Sequence, residues 1–189
     1  MSFSVLFVCT GNICRSPVAE KLFRARLIPG SEVTASSAGT FGLEGYEMDG
    51  PSALALSEIG VDPEGHVARR ITIELVQDAD LILTASDEHR SVVLREAPRK
   101  MTKVFTLREF GRLAGTLPER EEALAVPSPD LLRQRVRLIA SQRGLVPPAA
   151  PGSDDISDPF GATIDTARRC VADVSAAVDA ALATLHLHA

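Results

Sequence analysis

At 189 residues the chain is about 1.3 times a ~150-residue domain, which predicts one domain with an embellishment. Its 45% hydrophobic and 24% charged residues suit a globular protein with a core of its own. Twenty Lys and Arg against twenty-five Asp and Glu leave a net charge of −5, which argues against nonspecific binding to nucleic acid. No apolar run approaches the ~20 residues of a membrane span. The N-terminus lacks the positive region of a signal peptide, and three cysteines cannot build a disulfide framework. The expectation is a cytoplasmic protein with no membrane or nucleic-acid partner, its oligomeric state left open.

Ser4–Cys9 is a nearly continuous apolar run, the pattern of a strand buried on both faces. Thr10-Gly11-Asn12 breaks it, and Pro17 stands where the first turn of a helix tolerates proline. Val18, Leu22 and Ala25 then recur at helical spacing. Glu32–Ser36 predicts a second strand, and residues 40–50 a glycine-rich loop. Helices follow at Pro51–Ile59, Ile71–Gln77 and Asp87–Leu94. Ala79–Thr84 and Lys103–Leu107 predict the third and fourth strands. Ile164, Ala167, Val171, Val174, Val178, Leu182 and Leu185 form the stripe of a long final helix.

Residues 111–152 differ in character, holding six prolines and ending in the linker-like Pro147–Gly152. Leu132, Val136 and Ile139 mark an amphipathic helix there. Arg133, Arg135, Arg137 and Arg143 against Asp130 give +3 across residues 130–143. The plainer reading is a helix packed on the domain with solvated arginines; the sharper one is an acidic-partner site or an overhang of the active site. On the plainer reading, deleting the helix changes the chain's activity by no more than about tenfold.

Strands alternating with helices predict an α/β fold with a parallel sheet covered on both faces, and ligands at the carboxyl ends of its strands. Cys9 ends the first strand. In Cys9-Thr10-Gly11-Asn12-Ile13-Cys14-Arg15-Ser16 the backbone N–H groups of a strand-to-helix loop can curl round an anion at a helix N-terminus. The same field favours the thiolate form of Cys9, the nucleophilic one, and Ser16 can donate a hydrogen bond to it. Arg15 offers a planar fork for two phosphoryl oxygens. Gly11 and Asn12 suit left-handed backbone. Cys-x5-Arg alone is a weak signal in a chain with 17 arginines; the preceding strand, the internal Gly-Asn and the following Ser-Pro and helix make it specific.

With those flanks, Val8–Glu20 resembles the signature of the low-molecular-weight protein-tyrosine phosphatases. The resemblance continues through Ser37–Thr40, Gly65–Thr72 and Ala79–Leu83, and resumes at Asp158-Pro159-Phe160-Gly161. It implies a three-layer fold with a four-stranded parallel sheet, and a single phosphatase domain over 1–189 with a family-atypical insertion at about 111–152. It also implies hydrolysis through a phosphocysteine without metal or cofactor. By carry-over, Cys9 is the nucleophile, Arg15 binds the phosphoryl group and Asp158 is the general acid, then base. Thr10 to Ser16 cradle the phosphoryl oxygens; Asn12, Ser16 and Ser37 hold the loop, and Pro159 stiffens the acid's loop. Without the resemblance, Asp154, Asp155 and Asp158 read as a solvated acidic turn.

The expected ligands are a phosphorylated protein or small aryl phosphate, with inorganic phosphate or another oxyanion in the loop. Ile13, Phe41, Leu43 and Phe160 are the candidate pocket walls, with Tyr46 a further aromatic of the 41–46 loop. Cys14 matches relatives whose two loop cysteines form a reversible disulfide that protects the nucleophile. Phosphotyrosine is the preferred substrate because the protein-arginine phosphatases resemble this chain with threonine where Ile13 stands. Val104–Leu107, Asp158–Gly161 and Ile164-Asp165 nevertheless look like those enzymes, so phosphoarginine is retained as an alternative. An arsenate reductase of the same fold is disfavoured because Cys170 alone lies beyond the loop, where that chemistry uses two cysteines. A non-catalytic module that reads phosphorylated partners would need neither Cys9 nor Asp158. Cys170 reads as core, His66 and His89 as surface or hydrogen-bonded residues, and His186 and His188 as a frayed tail.

Overall fold

The structure is a computed structural model that describes residues 2–117, 126–148 and 150–188. Its elements run β1 (Phe3–Cys9), α1 (Arg15–Arg26), β2 (Val33–Gly39), α2 (Gly50–Glu58), α3 (Ile73–Asp78), β3 (Leu81–Thr84) and α4 (Asp87–Glu96). After a 3-10 turn at Pro98–Lys100 come β4 (Val104–Thr106), α5 (Leu107–Ala114), α6 (Pro129–Ala140) and α7 (Ile164–Leu185). The four strands lie in the order β2-β1-β3-β4, all parallel.

Alternation along the central strand sends its side chains into two cores, as a sheet covered on both faces requires. Phe3, Val5 and Phe7 pack with Leu22 and Phe23 of α1, Phe110 of α5 and the stripe of α7. Leu6 and Val8 pack on the other face with Val76 of α3 and Val93 of α4. This is the predicted three-layer α/β architecture. Because β1 and β3 are central, their carboxyl ends bring Cys9 and Ala85 to the middle of one edge.

The expected fourth strand over Lys103–Leu107 is shorter, ending at Thr106, and the helix after it was unforeseen. Thr106 caps α5 by accepting the Glu109 N–H at 3.1 Å, while the Glu109 carboxylate accepts the Thr106 N–H at 3.2 Å. That reciprocal pair, a capping box, makes Leu107 the first residue of a helix.

Of the 111–152 segment, residues 118–125 and 149 lie outside the described residues. The remainder is integral to the fold. Leu132, Val136 and Ile139 are at most 1% exposed and belong to the principal core, so removing α6 would open that core. This is the helix packed on the domain that the plainer reading expects. Not all of the segment's arginines are merely solvated: Arg133 grips Asp80 through Nε at 2.9 Å and Nη2 at 3.0 Å. Arg143 bonds the buried Glu109 at 2.9 Å, stacks 4.1 Å from the Phe105 ring centroid and donates to the carbonyls of Met101 and Val104.

The tail is also ordered rather than frayed. Ile28 donates its N–H to the Leu187 carbonyl at 2.8 Å, Leu187 is fully buried, and His188 bridges Leu27. Cys170 sits in the core, as expected. Among the described residues no helix is long and apolar enough to cross a membrane.

Candidate active site

The loop between β1 and α1 is shaped by what its carbonyls do. Those of Cys9, Thr10, Gly11 and Ile13 accept backbone N–H groups of Thr40, Phe41, Leu43 and Asp49 at 2.9 to 3.0 Å. The Asn12 carbonyl accepts His66 Nε2–H at 2.6 Å, and the Cys14 carbonyl accepts the Val18 N–H at 3.1 Å. With the carbonyls drawn outward, trans peptides turn the loop's N–H groups toward its concave side, an anion-binding nest at the start of a helix. The glycine at 39 permits this approach, because a Cβ there would collide with the Thr10 carbonyl oxygen.

Asn12, rather than Gly11, takes the left-handed backbone, with φ 57°. Its side chain offsets the strain through three contacts. Nδ2 donates to Ser16 Oγ and to Ser37 Oγ, each at 2.9 Å, and Oδ1 accepts the Arg69 N–H at 3.0 Å. Ser37 then donates to Glu20 Oε2 at 2.7 Å. Ser16 Oγ, already accepting from Asn12, stands 3.0 Å from Cys9 Sγ and 3.4 Å from the Ala38 carbonyl. The nearer partner of its hydroxyl proton is thus the Cys9 sulfur.

Arg15 opens α1 and is 5% exposed. Its Nη1 donates to the Ile156 carbonyl at 3.2 Å; its Nη2 donates to Thr10 Oγ1 at 3.3 Å and to Asp158 Oδ2 at 2.6 Å. Asp158 Oδ1 accepts the Phe160 N–H at 3.2 Å, which orients the carboxylate within its own turn. The preceding residues are pinned to the scaffold. Ile156 donates its N–H to the Ala85 carbonyl and Asp155 Oδ1 accepts the Asp87 N–H, both at 2.8 Å. Asp154 forms a double ion pair with Arg112 at 2.6 and 3.1 Å. The acidic turn is therefore a set of tethers, which its sequence alone did not reveal.

Cys9, Thr10, Gly11, Ile13, Cys14, Arg15 and Asp158 line one cleft of about 220 Å³, walled by Phe41, Leu43 and Phe160. Tyr46 is exposed and does not line it. Asn12, Ser16 and Ser37 lie buried behind the loop, and Pro159 is buried beside Asp158. Burial pushes the Cys14 thiol up to about 12, so it is protonated near neutrality. Burial and then the Arg15 charge push His89 down to about 4. Burial likewise lowers His66, in keeping with a neutral ring whose Nε2–H goes to Asn12.

Glu20, His66, Arg69, Ser86 and His89 support the loop but were not singled out from sequence. Glu20, in α1 next to the loop, and His66 and Arg69 lie within the resembling segments Val8–Glu20 and Gly65–Thr72, whereas Ser86 and His89, distant in the chain, carried no such signal. Among the described residues no cluster of three or more His, Cys, Asp or Glu is placed to hold a metal ion.

The model of the family described as low molecular weight phosphotyrosine protein phosphatase matches residues 4–135. The low molecular weight protein-tyrosine-phosphatase Etp of Escherichia coli K12 is 46% identical over 102 residues, 54% of this chain and 67% of that protein. A protein-arginine-phosphatase of Geobacillus stearothermophilus is 36% identical over 110 residues, 58% of this chain and 72% of that protein. Among solved structures, the low molecular weight protein tyrosine phosphatase from T. tengcongensis superposes with a TM-score of 0.68 at 27% identity, covering 96% of this chain and 98% of that one. The YwlE arginine phosphatase from G. stearothermophilus gives the same score and identity, covering 95% of this chain and 90% of that one.

Proposed function

This chain belongs to the low molecular weight phosphotyrosine protein phosphatase family, and we propose that it hydrolyses phosphotyrosine through a phosphocysteine formed on Cys9. The observation that carries this reading is the convergence of Cys9, Arg15 and Asp158 on one cleft. Cys9 Sγ, as thiolate, attacks phosphorus and forms the S–P bond while the P–O bond to the phenol breaks. The loop N–H groups and the Arg15 fork hold the nonbridging oxygens, whose charge is concentrated in the transition state. Asp158, in its protonated form, gives its proton to the leaving phenolic oxygen.

In the second step the Asp158 carboxylate takes a proton from water as the water oxygen attacks phosphorus. The S–P bond then breaks, releasing phosphate and restoring the Cys9 thiolate. The Ser16 hydroxyl, supplied by the Asn12 relay, supports the thiolate in both steps. Cys14, protonated and at the same cleft, is suited to condense with an oxidised Cys9 sulfenic acid, giving a disulfide and water. A reducing cytoplasm would then restore both thiols.

Ile13 supports phosphotyrosine over phosphoarginine, since it lines the cleft and presents hydrocarbon to a bound ring. Phe160 and Phe41, both exposed at the rim, are placed to flank such a ring.

Phosphate release from phosphotyrosine and phosphoarginine peptides, with Ile13→Thr and Cys9→Ser alongside, tests the reading. Wild type should prefer phosphotyrosine, Ile13→Thr should shift that preference toward phosphoarginine, and Cys9→Ser should abolish turnover while retaining phosphate binding. A wild-type preference for phosphoarginine overturns the assignment of Ile13. Surviving turnover in Cys9→Ser overturns the mechanism.

A further inference from the structure

Ser86, His89, Thr10 and Arg15 form an unbroken line of hydrogen bonds from the end of β3 to the phosphate-binding loop. His89 lies in the first turn of α4, which Ser86 caps, and is 5% exposed. Its Nδ1 is 2.6 Å from Ser86 Oγ and its Nε2 is 2.8 Å from Thr10 Oγ1. The charged groups round the ring are Arg15 from α1, Glu88 beside it, and Asp155 and Asp158 from the acid's loop.

One neutral tautomer of the ring gives the line a direction toward the loop. The ring is neutral near pH 7 and carries one N–H. Ser86 Oγ accepts the His89 backbone N–H at 3.4 Å and lies 2.6 Å from Nδ1, to which it can give its own proton. In that tautomer Nε2 carries the ring hydrogen and donates it to Thr10 Oγ1. The same oxygen accepts Arg15 Nη2 at 3.3 Å. Both lone pairs of the Thr10 hydroxyl are thereby engaged, which turns its proton away from the line, and Thr10 lines the cleft.

We propose that His89 is a positioning residue for phosphoryl transfer: it holds the Thr10 side chain so that its oxygen steadies Arg15 and its O–H donates to a phosphoryl oxygen. This rests on the reading of the Cys9 loop as the reacting site. It adds a side-chain donor to the backbone cradle and ties that donor to the end of β3, the strand beside β1. The ring itself does not touch the substrate, so its effect passes entirely through Thr10.

A double-mutant cycle separates this role from simple support of the fold. His89→Ala and Thr10→Val are measured singly and together, with p-nitrophenyl phosphate as substrate and inorganic phosphate as inhibitor. Each single change should lower kcat/KM about tenfold, and His89→Ala should cost nothing further once Thr10 is valine. Phosphate inhibition should weaken in parallel. Losses that multiply in the double variant, or no loss in His89→Ala, overturn the proposal.

Where His89→Ala does not fold, His89→Gln and His89→Asn decide. The glutamine amide reaches the Nε2 position and should restore most activity, whereas asparagine reaches only the Nδ1 side and should not. Equal activity of the two overturns the proposal. Cys9→Ser, run in parallel, distinguishes the failures: turnover surviving in that variant sinks the underlying site, whatever the cycle shows.

Discussion

Asp158 Oδ2 lies 2.6 Å from Arg15 Nη2, so the proposed acid and the proposed phosphate-gripping cation hold one another. The guanidinium is buried and the carboxylate half exposed. A phosphoryl group that enters the loop must share or take over this contact. On the proposed reading the pair competes with phosphate for Arg15, while the turn around Asp158 holds its carboxylate at the cleft.

Replacing Asp158 should therefore move two quantities in opposite directions. Asp158→Asn should lower kcat roughly a hundredfold on phenyl phosphate, whose leaving group needs a proton, and less on p-nitrophenyl phosphate. Inorganic phosphate should inhibit this variant several-fold more strongly, because the competing charge is gone. Steady-state kinetics with phosphate as competitive inhibitor check both. Unchanged phosphate inhibition would show that the ion pair does not oppose ligand entry.

Arg143→Ala tests the structural role of the segment after α6. Glu109 is buried and pairs with Arg143 at 2.9 Å and Arg90 at 3.2 Å, so losing Arg143 leaves its charge half compensated. The Phe105 ring also loses the guanidinium stacked on it. Allowing for the partial exposure of Arg143, a destabilisation of about 2 kcal/mol is expected, read as a lower urea midpoint. Turnover per folded molecule should stay within about twofold. A large loss of turnover without a shift in midpoint would give this segment a role at the cleft.

His89 makes stability depend on pH with a defined sign. Its native pKa, about 4, lies below the unfolded value of 6.5, so between these limits the unfolded chain binds more protons. Its contribution is present above pH 6.5 and is lost as pH falls through about 4. Taken at about half its nominal size, such a shift is worth about 1 to 2 kcal/mol. His66, also lowered, acts in the same direction. Urea unfolding from pH 7 to 4 should show a steeper loss of stability in wild type than in His89→Gln; equal slopes would contradict the assignment.

The parts of this molecule legible in the sequence are those whose signals are local. β1 is an apolar run, α7 a long stripe, and the Cys9–Ser16 loop a contiguous motif, and all three appear where expected. The start of α5 was also written locally, in Thr106-Leu107-Arg108-Glu109, but a four-residue capping box is faint beside a strand-like run of Val, Phe and Thr. What sequence could not show are polar contacts between distant segments. Arg143 meets Glu109 across 34 positions, His89 meets Thr10 across 79 and Arg15 meets Asp158 across 143. Composition and spacing say nothing about which arginine finds which carboxylate, so residues that read as solvated are fasteners.

The tethering of Ile156 has a mechanical consequence. Its N–H is bonded to the Ala85 carbonyl and its own carbonyl to Arg15 Nη1, two residues before Asp158. The segment bearing the proton donor is thus spliced into the same frame that carries the phosphate grip. A segment fastened in this way has little large-scale closure to complete before a group held in the loop meets the Asp158 carboxylate.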